Sequence, residues 1–212
     1  SYRWYENIDS ITPTTVLSEK NDILNEVSPR KVIRLRIAIQ VGEIFSKGSQ
    51  QFKLEYSTNT EEGWTQVGDI GSILKVWIGA NNFSTEDGGT LTVLLDGNNI
   101  PQSYEEQNPS VSIVEQIDVG EIGEWDWVIK ENGANPDTVY FFRMVLINGT
   151  HLDRYMRYAT LRTSPQVSYI QKNYRWYENI DSVTPATALS VEGTARVSTV
   201  YGEKYRLRIA IE

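Results

Sequence analysis

Apolar and polar residues alternate along much of this chain with a period of two, the pattern of a β-strand that buries one face. In "KVIRLRIAIQV", Ile33, Leu35, Ile37, Ile39 and Val41 fall on one side, and Arg34, Arg36, Ala38 and Gln40 on the other. In "QFKLEYS", Phe52, Leu54 and Tyr56 oppose Lys53 and Glu55. In "VYFFRMVLI", Tyr140, Phe142, Met144 and Leu146 are placed inward, opposite Phe141, Arg143 and Val145. The same reading predicts strands at "WTQVG" (64–68), "ILKVWIG" (73–79), "TLTVLL" (90–95), "VSIVEQI" (111–117), "EWDWVIK" (124–130) and "YMRYATLRT" (155–163). Turn formers lie between them, such as Asp87-Gly88-Gly89, Asp96-Gly97-Asn98-Asn99 and Asn148-Gly149. No long stretch carries a helical period. Many short strands separated by turns predict an all-β sandwich or barrel.

A second pattern is laid over the first. "YRWYENIDS" at residues 2–10 returns at residues 174–182, and "RLRIAI" at 34–39 returns at 206–211, both with an offset of 172. Without a gap, 20 of 40 positions are identical, whereas residues 19–33 share nothing with 191–205 but length. The outer blocks read as structurally constrained and the middle as a connection free to vary. The expected organisation is a repeat module at 1–164, a linker at 165–172, and the first two strands of the next repeat at 173–212. Two strands cannot bury a core alone. The second copy is therefore expected to be completed by a longer tandem array or by docking into another copy's sheet.

Composition narrows the function class. Aromatic residues are 11% of the chain, with 12 Tyr and 6 Trp, which suits pleated surfaces. The net charge of −8, without a basic stripe, argues against nucleic acid as a partner. No window reaches the roughly 18 apolar residues of a membrane helix, so direct membrane insertion of this segment is not expected. There is no cysteine, which removes disulfides, thiolate catalysis and cysteine metal sites.

Two stretches resemble a known family. "QQFKLEYSTNTEEGWTQVG" is similar to the strand-loop-strand of fibronectin type III-like domains. "NPDTVYFFRMVLINGT" resembles their penultimate strand, with Pro136, Thr138 and Tyr140 on its P-x-T-x-Y pattern. The unit resembles the long tandem modules of very large microbial surface proteins, although extra sequence around 70–120 lengthens it. No Arg-Gly-Asp loop is present, so integrin binding is not carried over. The resemblance implies an immunoglobulin-like (fibronectin type III-like) antiparallel β-sandwich repeated in tandem. It also implies that Tyr140 is a structural tyrosine corner, bonding its hydroxyl to nearby backbone.

Candidate chemistry is sparse. His151 is the single histidine and follows a turn, so nucleophile-base pairs and zinc sites lack a partner. Glu121, Glu124 and Asp126 cluster in sequence, as do Glu105 and Glu106, in the manner of solvated acidic faces, and an enzyme is not expected. No cofactor is expected, with calcium left open at the acidic turns "STEDGG" (84–89) and "LDGNN" (95–99). Asn82 and Asn148 begin N-glycosylation sequons.

Aromatic residues of "YRWYEN" that face outward would be covered by the 70–120 stretch, form contacts between neighbouring units, or stack on sugars. The inter-unit contact candidates are Tyr2, Trp4, Tyr5, Tyr174, Trp176, Tyr177, Leu207, Ile209 and Ile211. The expected role is a structural repeat of an extracellular or cell-surface filament. Its partners would be neighbouring copies or repeats, possible strand donors through residues 174–178 or 205–211. The alternative is an adhesive or carbohydrate-binding module for surface glycans, with Trp77 and Trp125 as exposed stacking residues.

Overall fold

The computed structural model describes residues 1–81, 87–166, 170–196 and 201–212. Among them there is no helix. The chain divides into two units, Ser1–Pro165 and Gln166–Glu212.

The first unit is built from β1 (Tyr2–Glu6), β2 (Leu24–Val27), β3 (Val32–Gln40), β4 (Phe52–Ser57), β5 (Thr65–Gln66), β6 (Trp77–Gly79), β7 (Ile100–Glu105), β8 (Ile122–Glu131), β9 (Val139–Leu146) and β10 (Ala159–Thr163). One sheet runs β1-β3-β8-β6, with β7 also on β8; the other runs β2-β10-β9-β4-β5. Most pairs are antiparallel, but β7 lies parallel to β8 and β2 parallel to β10. The expectation of purely antiparallel sheets is corrected at those two places, where long connections bring the strands in from the same end.

The two sheets share one core. Trp4, Leu35, Ile37, Trp125 and Trp127 of the first meet Phe52, Leu54, Phe142, Met144 and Leu161 of the second, all buried. Trp4 packs edge-on to Phe142 with ring centroids 5.6 Å apart, and Phe52 meets Trp125 at 5.0 Å. Alternation explains which side chains these are: every second residue of β3, β4, β8 and β9 points inward. Tyr140 is buried, and its hydroxyl accepts a hydrogen bond from Asn135 N–H at 3.0 Å. Tyr140→Phe keeps the ring and removes that acceptor, so it should cost about 1 kcal/mol. A urea titration of the two proteins checks this, and equal midpoints would count against a tethering role.

Three strand expectations differ from the structure. Residues 90–95 and 111–117 form no ladder beyond the single bridges Thr90–Ser103 and Phe45–Ile117. Of "ILKVWIG" only Trp77–Gly79 is a strand, paired with β8. Conversely, β2 lies inside the diverged stretch 19–33 and β7 within 70–120, so both regions contribute strands to the sheets.

In the second unit β11 (Gln171–Glu178) pairs antiparallel with β12 (Tyr205–Ile211). Because β11 begins at Gln171, the expected linker is shorter at that end than residues 165–172.

Candidate functional site

The polar face of β3 is shielded from water along most of its length, with only Gln40 at its end exposed. Arg34, Arg36, Glu124 and Asp126 are all 0% exposed, which overturns the reading of Glu124 and Asp126 as a solvated acidic face. Antiparallel register explains the meeting, since Arg36 lies opposite Asp126 and Ala38 opposite Glu124. Asp126 accepts from Arg34 Nη2 at 2.5 Å and from Arg36 Nε at 2.9 Å. Glu124 Oε1 accepts from Arg36 Nη1 at 2.9 Å and from Leu94 N–H at 2.8 Å, while Oε2 accepts from Asn99 Nδ2 at 2.8 Å. Arg34 Nε also donates to Asp126 Oδ1 at 3.3 Å, and both guanidinium groups donate to backbone carbonyls as well. Arg34 donates to Ser10 O and Ile11 O, and Arg36 to Thr92 O and Ile11 O. Two positive and two negative charges balance, and residues 10–11 and 92–95 close over them. Arg34 also lies 4.5 Å from the centre of the Tyr104 ring. Such a cluster is tolerable inside a protein because every charge is paired and hydrogen-bonded.

The second unit carries the same frame in the same register. Tyr174 lies opposite Ile209 and Trp176 opposite Leu207, as Tyr2 lies opposite Ile37 and Trp4 opposite Leu35. The flanking turn also repeats. Leu189 N–H donates to Trp176 O at 2.8 Å as Leu17 N–H does to Trp4 O at 2.9 Å, and Gly193 reaches Tyr174 O as Asn21 reaches Tyr2 O, both at 2.8 Å. Arg206 donates to Ser182 O and Ile180 O, and Arg208 to Val183 O at 2.7 Å. The surroundings differ. Leu207, Ile209 and Ile211 are 42%, 49% and 66% exposed, and among the described residues neither Arg206 nor Arg208 has an ion pair. Beside them Trp176, Leu207, Ile209, Tyr174 and Arg196 line a depression of about 480 Å³.

The inter-unit contact candidates therefore fall into two sets. Tyr2, Trp4 and Tyr5 are buried in their own unit, because a covered second face leaves no outward aromatic in β1. Tyr174, Trp176 and Tyr177 are half-buried, and Leu207, Ile209 and Ile211 are exposed. Trp77 and Trp125, expected as exposed stacking residues, are core side chains at 0% and 1% exposure. Half-buried aromatics lie instead on the outer face of the second sheet. Trp64 is 5.2 Å from Tyr158, and Tyr158 stacks on Tyr155 at 5.4 Å.

Of the remaining candidates, exposed His151 accepts from Arg143 Nη2 at 2.9 Å, and Arg143 pairs with Glu55 at 2.8 Å. Asn148 is exposed at a turn, its side-chain oxygen accepting from Thr150 N–H at 2.9 Å. Asn82 and residues 84–86 of the first acidic turn lie outside the described residues. Asp96 of the second acidic turn caps its own loop through Asn98 N–H at 3.1 Å. Among the described residues no three acidic or histidine side chains are grouped to hold a metal ion.

Glu105 is buried, and its Oε1 accepts from Ser103 Oγ at 2.5 Å and from Val111 N–H at 2.9 Å. Burial pushes its pKa up to about 8, so the carboxyl is protonated at neutral pH. The unfolded chain releases this proton near its ordinary value of 4.5. The folded state thus binds more protons between those values, and stability falls as pH rises through them. The contribution is full below the unfolded value and is lost as pH passes the folded one. Glu105→Gln keeps an acceptor oxygen and removes the titration. It should outlast the parent in urea at about pH 8 and match it near about pH 4.5. A parent with no greater loss over that interval than the variant would contradict this.

Asn108 was not singled out by the sequence pattern. It is buried, accepts from Leu54 N–H at 2.7 Å, and donates to Leu54 O at 3.0 Å and Val67 O at 2.9 Å. Its side chain thus satisfies backbone groups along β4 and beyond β5. No protein family, no curated protein and no solved structure matches this chain.

Proposed function

We propose that this chain is a structural repeat of an extracellular or cell-surface assembly, with fibronectin type III-like modules joined in a row. One observation carries the reading. The two copies keep one ladder, one register and one arginine-anchored turn although half of their positions differ. Selection for a binding pocket or an active site would act on side chains presented to a ligand. What is kept here is a frame, as in arrays whose units bury a core and repeat at a fixed spacing. Antibodies against residues 1–165, imaged on the native material, should decorate surface filaments at a regular axial interval. Labelling confined to the cell interior, or without periodicity, would overturn the proposal.

A second reading is adhesion to glycans, favoured by the outer-face row of Trp64, Tyr155 and Tyr158. Aromatic faces suit sugar rings, and repeated weak sites gain avidity. Retention on a polysaccharide column that is lost in Trp64→Ala would support it. Unretarded elution on every glycan would count against it.

A further inference from the structure

We propose that the Ile73–Leu74 tip of the first unit is the knob of a head-to-tail contact between copies of this chain. It is received by the opposite end of a second copy's first unit, at Ile44 and Val119. The strands define the two ends. β3 and β8 run from Val32 opposite Lys130 at one end to Gln40 opposite Ile122 at the other. β1 starts at the second of these, with Ser1 and Ala38 exchanging backbone hydrogen bonds. β10 finishes at the first, where Thr163 Oγ1 donates to Asn135 O in the loop that follows β8. A unit whose first and last strands open at opposite ends is laid out for contacts that repeat in one direction.

The tip is held in place by its neighbours. Asn132, the residue after β8, donates through Nδ2 to Ser72 O and to Lys75 O, both at 2.9 Å, and through its backbone N–H to Val76 O at 2.9 Å. Ser72 N–H donates in turn to Asp69 O at 3.0 Å. The carbonyls on either side of Ile73 and Leu74 are thus pinned, and the two side chains stand 90% and 86% exposed. Two adjacent aliphatic residues held that far into water are a cost to the isolated unit that a partner surface removes. Their backbone is fixed beforehand, so little freedom is lost on docking.

The receiving end matches in polarity and in charge. Ile44 and Val119 are 56% and 63% exposed on loops bridged by Phe45 and Ile117, which exchange hydrogen bonds at 3.0 Å. Those loops (41–45 and 117–121) carry Glu43, Asp118 and Glu121, all exposed, and no base. Around the tip, loops 28–31 and 69–76 carry Arg30, Lys31 and Lys75 against the single acid Asp69. Arg30 N–H and Lys31 O both bond to Glu131, next to Asn132, which places these two residues beside the tip. Opposite charges flanking two apolar pairs set the orientation, and like ends repel. Tip against tip would bring the bases together, and an anionic lipid surface would leave the acidic end without a partner. A contact between unlike faces adds copies in one direction, as a filament requires. The inference rests on the reading of the chain as a repeat in an assembly and names the faces by which copies add.

The test exploits the absence of cysteine. Gly42→Cys lies in the receiving loops, where a new Cβ meets nothing within 4 Å, and Ile70→Cys lies beside the tip. The two full-length variants are mixed in equal amounts and equilibrated in a glutathione buffer. Random pairing gives as much mixed dimer as the two like dimers together, and the contact should raise that ratio at least about fivefold. Ile73→Ser with Leu74→Ser, at exposed positions, should return the ratio to random. So should Glu43→Lys with Asp118→Lys in the Gly42→Cys chain. Adding Arg30→Glu with Lys75→Glu to the Ile70→Cys chain should then restore the excess. A random ratio for the parent pair would overturn the contact, and an excess that survives the serine substitutions would overturn the role of the tip. A random ratio with binding to phosphatidylserine vesicles that the serine substitutions abolish would give the tip to a lipid surface and overturn the proposal. Periodic filaments with a random ratio would sink this inference alone, and an excess of mixed dimer without filaments would sink the assembly reading alone.

Discussion

Asp126→Asn is expected to destabilise the first unit by about 3–5 kcal/mol, close to the largest effect of any single substitution in this chain. Asp126 is the carboxylate shared by both guanidinium groups, at 2.5 Å from Arg34 Nη2 and 2.9 Å from Arg36 Nε. An asparagine has nearly the same shape but no charge, and its amide nitrogen would face donors. Two arginines would then share Glu124 alone in a site that is 0% exposed. Neutralising Asp126 also leaves a net positive charge there, which water cannot reach. Urea unfolding at neutral pH, followed by tryptophan fluorescence, checks this. A loss below about 1 kcal/mol would mean that the cluster is far better solvated than its burial implies. Replacing Arg34, Arg36, Glu124 and Asp126 together with apolar residues of similar volume should recover much of the loss, because no charge is then left unpaired.

Trp4→Ala should cost a comparable amount, about 3–5 kcal/mol. Trp4 is 0% exposed, packs on Phe142 and donates its indole N–H to Thr160 O at 2.9 Å. Alanine leaves a void between the sheets and an orphaned carbonyl beside it. The repeat supplies an internal control, because Trp176 occupies the same ladder position but is only half-buried. Trp176→Ala should change the main unfolding transition by less than about 0.5 kcal/mol. Similar losses for the two variants would mean that the second unit contributes to the core of the first. That outcome would overturn the division of the chain at Pro165.

The inner face of the fold was legible in the sequence. Leu35, Ile37, Phe52, Leu54, Tyr140, Phe142 and Met144 follow a strict period of two, and all are buried. The outer face of the first sheet was not. Alternation tells that Arg34 and Arg36 point away from Leu35, but it does not tell whether water or protein lies beyond them. The cover is irregular chain that carries no strand period of its own. Residues 90–95 alternate well enough to predict a strand. Their backbone is satisfied differently, since Leu94 and Leu95 N–H bond to the Glu124 carboxylate and not to a neighbouring strand. One signal was present. "RLR" in one predicted strand and "EWDW" in another are complementary when set antiparallel, with charges and large apolar residues both in phase. Reading strands in pairs would have placed the four charges together before any coordinates.

The diverged stretch 19–33 hid β2 for a related reason. It is the end strand of its sheet and pairs with β10 through only Leu24–Leu161 and Val27–Thr163. A strand so lightly held leaves a faint sequence trace. In the candidate site, the register shared by the two copies was legible from the constant offset of 172, but the difference in their burial was not. Exposure depends on which strands arrive from elsewhere, and that is not a local property.

The shared register also bears on how the protein is made. β3 and β12 offer the same "RLRIAI" to the acidic strand β8, from comparable distances along the chain. Closing either loop costs nearly the same entropy. During synthesis β3 and β8 have both emerged before β12 exists, so the first pairing forms without a rival. A chain diluted from denaturant has no such schedule and presents both claimants at once. Refolding yield should therefore depend on residues 173–212 in a way that yield from translation does not, and the direction of synthesis becomes part of what specifies the fold.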